Sequence, residues 1–122
     1  MDYRLELIAV PVTDVDRAIA FYTERVGFTL DHDHTVSEDL RFVQLTPPGS
    51  ACSIALGKGI VDSEPGSLRG VQVVVDDIHA ARADLAGRGV EVSEVTTGPG
   101  GAFVFFADPD GNQWSVQDPR PA

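Results

Sequence analysis

Apolar and polar positions along the chain fall into two series of the same design. From Leu7 to Phe28, LIAVPVTDVDRAIAFYTERVGF, a mostly apolar run gives way to acidic residues, then to apolar positions three and four apart, then to a glycine. From Gly70 to Val90, GVQVVVDDIHAARADLAGRGV, the order returns. Val10 meets Val73, Val12 meets Val75, Asp14 meets Asp77, Val15 meets Ile78, Ala18 meets Ala81 and Tyr22 meets Leu85; after one slipped residue, Gly27 meets Gly89. Each series reads as a strand, a capping acid, an amphipathic helix and a glycine stop. An internal repeat of this kind constrains the whole fold.

In chain order, the pattern predicts a strand over Tyr3–Val12 and a helix capped by Thr13 or Asp14, with Asp16 in its first turn. The helix carries Val15, Ala18, Ile19, Tyr22 and Val26 on one packing stripe and ends at Gly27. A strand follows from Phe28 to His34, whose polar end, DHDHTVSED, reads as a loop or rim. Strands over Leu40–Thr46 and Ala51–Leu56 flank the Pro47–Pro48–Gly49 turn, and Gly57–Gly70 forms a linker. The second series predicts a strand over Val71–Val75, a cap at Asp76 or Asp77, a helix through Ile78, Ala81 and Leu85 stopping at Gly87 or Gly89, and a strand over Val90–Val95. A turn at Thr97–Gly101 and a hairpin of Ala102–Ala107 with Gln113–Gln117 close the chain. Asp118–Ala122 is a loosely held tail. The sum is β-α-β-β-β twice, an α+β fold. Module one spans about 1–57, the linker about 58–69 and module two about 70–118, within a single domain of 122 residues. Modules of that size bury little alone, so each must be completed by its sister, within the chain or across a dimer.

Charge narrows the partners. Nine basic against nineteen acidic residues give a net charge of −10, which opposes a sequence-independent grip on nucleic acid or on an anionic membrane. The excess serves solubility, or draws in a cationic small molecule. No apolar run approaches a membrane span, and MDYRLELIAV lacks the features of a secretory signal. With Cys52 the single cysteine, the expected setting is the reducing cytoplasm.

The stretch V-x-D-x-x-x-A-x-x-F-Y-x-x-x-x-G-F from Val12 to Phe28, the repeated V-D-D at Val75–Asp77 and F-A-D-P-D-G-N from Phe106 to Asn112 resemble the vicinal oxygen chelate superfamily. That group includes glyoxalase I, bleomycin-resistance proteins, extradiol dioxygenases and fosfomycin-resistance enzymes. The resemblance covers nearly the whole chain and implies paired βαβββ modules, a cup-shaped eight-stranded mixed sheet with outer helices, and a homodimer. In metal-dependent relatives four places hold the ligands; here they hold Leu7, Ala55, Gly70 and Ser115. None is a carboxylate or an imidazole, so no metal and no cofactor is expected there.

If those places face the cavity, strand alternation sends Leu5, Leu7, Ala9, Ser53, Ala55, Gln72, Val74, Gln113 and Ser115 toward it, joined by Phe42 and Gln44. Phe103 and Phe105 share a strand face and supply an aromatic wall, while Trp114 turns to the core. An apolar cup with a few amides and hydroxyls suits a small organic ligand; the competing reading is a cavity filled by these same side chains.

Candidate acid–base groups are His34, Glu38 and Asp39, with Arg41 as an anion clamp at the cup's mouth; an exposed rim is the plainer reading. His32 and His34, with Glu38 or Asp39, offer a metal clip, against a solvated acidic loop. His79 reads as solvent-facing and Cys52 as a packed thiol. Gly98–Gly101 matches no phosphate-binding fingerprint.

The expected function is metal-independent binding of an apolar or cationic aromatic molecule, as in drug sequestration or self-resistance. The alternatives are a metal-free isomerase, lyase or cyclase using one acid–base group, and a metalloenzyme with ligands relocated to His32–Asp39.

Overall fold

The repeat becomes two four-stranded mixed sheets, described over residues 1–120 of a computed structural model. β1 (Leu7–Ala9), β2 (Thr29–Ser37), β3 (Leu40–Thr46) and β4 (Ser53–Lys58) assemble in the order β1-β4-β3-β2. β5 (Val71–Val74), β6 (Thr96–Gly98), β7 (Gly101–Ala107) and β8 (Gln113–Asp118) repeat it as β5-β8-β7-β6. In each sheet the strand that feeds a helix lies parallel to its neighbour at one edge, and the remaining pairs are antiparallel.

α1 (Val15–Ala20) starts where Asp14, in extended conformation, accepts the Arg17 N–H at 3.0 Å. It runs into a π-helical segment, Phe21–Val26, that ends on Gly27 with φ of 89°. Thr23 donates its hydroxyl back to the Ile19 carbonyl at 2.7 Å near this change of pitch. α2 (Ile78–Gly87) begins the same way, with Asp77 accepting the N–H groups of His79 and Ala80. No helix is long and apolar enough to cross a membrane among the described residues.

Several predicted elements differ from those observed. The first strand is paired only over Leu7–Ala9, because β4 begins at Ser53 and offers nothing to Tyr3 or Leu5, which are exposed. DHDHTVS is strand rather than loop: its backbone pairs with β3, and its charged side chains sit on an outermost strand, where solvent reaches them. Val90–Val95 is not a strand. Val90, Val92 and Val95 pack on the core while the backbone touches β7 through Ser93, whose N–H reaches Phe105 O and whose hydroxyl accepts the Phe105 N–H. β6 forms instead at Thr96–Gly98, overlapping the expected turn at Thr97 and Gly98. In the predicted tail, Asp118 is buried, ends β8 and holds Arg120 through two hydrogen bonds to its guanidinium; 121–122 lie outside the described residues.

One core joins both sheets. Val43, Leu45, Ile54 and Leu56 from the first meet Val104, Phe106, Trp114 and Val116 from the second, with Tyr22 and Ala18 of the first helix and Ile78 and Leu85 of α2. Each fully buried side chain of this kind contributes about 1.5–3 kcal/mol. The Phe106 and Trp114 rings stack at 6.0 Å, and Phe28 meets Trp114 edge-on at 5.6 Å.

A buried polar network runs through the core. Trp114 Nε1 donates to Tyr22 Oη at 2.9 Å, and Tyr22 Oη donates to Asp108 Oδ2 at 2.8 Å. Asn112 Nδ2 donates to Asp108 Oδ2 and to Pro11 O, both at 2.8 Å, while Asn112 Oδ1 accepts the Leu68 N–H. No buried side-chain nitrogen or oxygen lacks a partner among the described residues.

Burial, reinforced by the Asp108 charge, pushes the Tyr22 phenol far above its ordinary value. An unfolded tyrosine loses its proton near pH 10.0, so a raised folded value gives stability that is whole below that pH and is lost as pH climbs beyond it. Alkaline titration followed by circular dichroism and tyrosinate absorbance should show Tyr22 ionising only together with unfolding. Full ionisation of both tyrosines in an intact fold would refute this.

Candidate functional site

Strand alternation divides each sheet into a core face and an open face. In the first sheet Leu7 lies opposite Ser53, Ala9 and Gln44 lie opposite Ala55, and Phe42 opposite Gly57. These residues therefore share the face away from Val43, Leu45, Ile54 and Leu56. Ser53 and Ala55 form its covered floor, at 6% and 0% exposure, and Leu7 stands open at 37%. Leu5 continues the parity of Leu7 without a pairing partner.

In the second sheet Gln72 lies opposite Ser115, Phe105 opposite Ser115, Phe103 opposite Gln117 and Ala107 opposite Gln113. Gln72, Val74, Phe103, Phe105, Gln113 and Ser115 thus share its open face. The Phe103 and Phe105 rings are nearly parallel, 6.3 Å apart at 7°. Phe105 also borders a hollow of about 380 Å³, whose other lining residues are Gly70, Val71, Phe106, Ala107, Gln113, Trp114 and Ser115.

Because the core faces of both sheets enter one core, the open faces turn outward from it. No hydrogen bond joins a side chain of one open face to the other among the described residues, and the hollow is lined by second-module residues alone.

The places that hold metal ligands in other members of the resembled group do not fit an ion. Leu7 and Ala55 supply no donor atom, Gly70 has no side chain, and the Ser115 hydroxyl is already bonded to Gln72 Oε1 at 3.0 Å. No three His, Cys, Asp or Glu side chains among the described residues are grouped to hold a metal.

His32 and His34 pair across from Gln44 and Phe42, so both join the first open face. Glu38 and Asp39 sit at the exposed tip of the β2–β3 hairpin. Arg41 is not an anion clamp at the cup. It belongs to the parity of Val43, and its guanidinium binds Asp33 at 2.9 Å and Asp16 at the start of α1 at 3.0 Å. Its hydrogen bonds to Asp33 hold that carboxyl below the usual range and raise the guanidinium. Cys52 is partly covered and His79 is exposed on α2.

Among the open-face residues that escaped the sequence reading are Thr46 and Asp31 in the first sheet, and Gln117 in the second. Thr46 and Gln117 follow Gln44 and Ser115 at even spacing and were available to the same alternation argument. Asp31 was not, because it occupies the irregularity between Leu30 and His32 in the β2–β3 register.

Comparison with known proteins matches residues 4–116 to the model of the Glyoxalase/Bleomycin resistance protein/Dioxygenase superfamily. The chain is 37% identical to TnmS3, an antibiotic binding protein from Streptomyces sp. CB03234, over 98% of both chains with a TM-score of 0.88. A glyoxalase/bleomycin resistance protein from the same organism is 38% identical over 93% of this chain and 99% of its own, with a TM-score of 0.82. A superfamily member from Sphaerobacter thermophilus DSM 20745 is 30% identical, with coverage of 95% and 97% and a TM-score of 0.83. The chain belongs to the glyoxalase/bleomycin resistance protein/dioxygenase superfamily.

Proposed function

We propose that this protein is a metal-independent small-molecule binding protein that sequesters an apolar or cationic aromatic compound in the cytoplasm. The observation that carries the reading is the second open face. Phe105, its ring parallel to that of Phe103, borders a hollow edged by Ser115 and Gln113, an apolar wall with a few polar groups. The 37% identity with an antibiotic binding protein supports a small-molecule ligand. The net charge of −10 favours cations.

The working unit in this reading is a homodimer. Phe105 is 47% exposed and Val74 65%, so the wall lies open in one chain. The common core holds the chain's own first open face elsewhere, which leaves the equivalent face of a second copy as the cover. Leu7, Ala9, Phe42, Gln44, Ser53 and Ala55 of one protomer then face Gln72, Val74, Phe103, Phe105, Gln113 and Ser115 of its partner.

The test is a panel of cationic and neutral polycyclic aromatics, followed by melting temperature. A ligand at a hundred times its Kd adds about 2.7 kcal/mol, which is several degrees in Tm for a domain of this size. At least one member should raise Tm and lose that effect in Phe105→Ala. No shift for any member at saturating concentration would refute sequestration of this class.

A further inference from the structure

Both open faces carry a chain of side-chain hydrogen bonds, and in each the direction of every bond follows from one acceptor-only end. On the first face, Thr46 Oγ1 bonds to the Asp31 carboxylate. An ionised carboxylate accepts only, so Thr46 spends its single hydroxyl hydrogen there. The 2.7 Å contact between Thr46 Oγ1 and Ser53 Oγ then requires Ser53 to be the donor. Ser53 has no second hydrogen, so at the next contact it accepts from Gln44 Nε2 at 3.2 Å. The Gln44 carboxamide is thereby fixed with its nitrogen toward Ser53 and Oε1 on the other side, where no group of the described residues meets it.

On the second face the fixed end is a backbone carbonyl. Gln117 Nε2 donates to Gly100 O at 2.9 Å, which leaves Gln117 Oε1 to accept from Gln72 Nε2 at 3.1 Å. Gln72 Oε1 then takes the Ser115 hydroxyl hydrogen at 3.0 Å, and the other neighbour of that hydroxyl, Val71 O at 3.4 Å, is also an acceptor. Ser115 therefore spends its hydrogen within the chain and keeps its lone pairs for whatever lies over it.

We propose that these two chains make Gln44 Oε1 and Ser115 Oγ acceptors toward the ligand, so that the site selects aromatic compounds bearing O–H or N–H groups over isosteres that only accept. Asp31, which need not touch the ligand, is a specificity-determining positioning residue. This rests on the reading of the open faces as one ligand site.

The test pairs 2-naphthol with 2-methoxynaphthalene, which has the same ring system without the donor. An acceptor left unpaired in a desolvated site is worth about tenfold in affinity, so wild type should favour the naphthol by that factor. Asp31→Asn allows the chain to reverse, because asparagine can donate to Thr46; Thr46→Val cuts the chain without changing charge. In either variant Gln44 can turn its Nε2 outward and donate to the methoxy oxygen, so the preference should fall to about threefold, the Ser115 chain remaining intact. A preference equal in wild type and both variants overturns the proposal. Failure of both probes to bind wild type is instead a failure of the site reading, and the relay is then judged by NMR. The Gln44 side-chain N–H should show a cross-relaxation peak to the Ser53 β-protons in wild type and lose it in Asp31→Asn. A peak unchanged in the variant overturns the relay.

Discussion

Asp108→Ala should destabilise the protein by about 3–6 kcal/mol, a large part of the roughly 5–15 kcal/mol that holds a domain of this size folded. The carboxylate accepts four hydrogen bonds: from Tyr22 Oη and Asn112 Nδ2 on one oxygen, and from the N–H groups of Asp110 and Asn112 on the other. Alanine leaves these donors facing a void, and each buried donor without a partner costs about 1–3 kcal/mol. Tyr22→Phe removes less: Trp114 Nε1 loses its acceptor, for about 1–3 kcal/mol. Urea unfolding measures both. The account of the network fails if Asp108→Ala lies within about 1 kcal/mol of wild type, or if Tyr22→Phe is the more damaging of the two.

The same network sets the geometry of the site. Tyr22 and Pro11 belong to the first module, Asp108, Asn112 and Trp114 to the second, and their bonds hold the two sheets by their core faces. A chain locked in that way has its open faces directed outward. Stability and the proposed ligand binding therefore fall to opposite faces of the same strands.

Replacing both Phe103 and Phe105 with alanine should lower affinity for an aromatic ligand at least about a hundredfold, since each ring contributes stacking of about 0.5–1.5 kcal/mol beyond the area it buries. The fold should survive, because Phe105 is 47% exposed and neither ring belongs to the core cluster. Calorimetric titration beside a melting curve separates the effects. Affinity within about threefold of wild type, with the fold intact, would remove these rings from the site.

Much of this architecture was legible from periodicity. The helices, the strand over Leu40–Thr46 and the closing hairpin follow from apolar spacing with Asp caps and glycine stops. Alternation also placed the aromatic pair on one face. The misreadings have physical causes. Asp31 to Ser37 is polar apart from Val36 and has no apolar face, so nothing in its composition distinguishes an edge strand from a loop; its pairing comes from β3. Val90, Val92 and Val95 are apolar because they cover the core, and apolar spacing by itself does not require a paired backbone. Arg41 was misplaced because residue type suggested a clamp, whereas parity with Val43 put it on the helix side with Asp16 and Asp33. The hydrogen-bonded chains were beyond reach, since they depend on neighbours brought together across strands.

In the proposed dimer each cup is shared, its two halves coming from different copies of the chain. Mixing two inactive variants tests it most directly. One carries Phe103→Ala and Phe105→Ala; the other carries Gln44→Arg, which places a long cation on the first open face. Neither variant should bind an aromatic probe alone. After joint unfolding and refolding, half of the dimers should contain one chain of each kind and one intact cup, so the mixture should regain about a quarter of wild-type capacity at the wild-type Kd. No recovered binding, with mixed dimers verified by mass spectrometry, would contradict the shared cup.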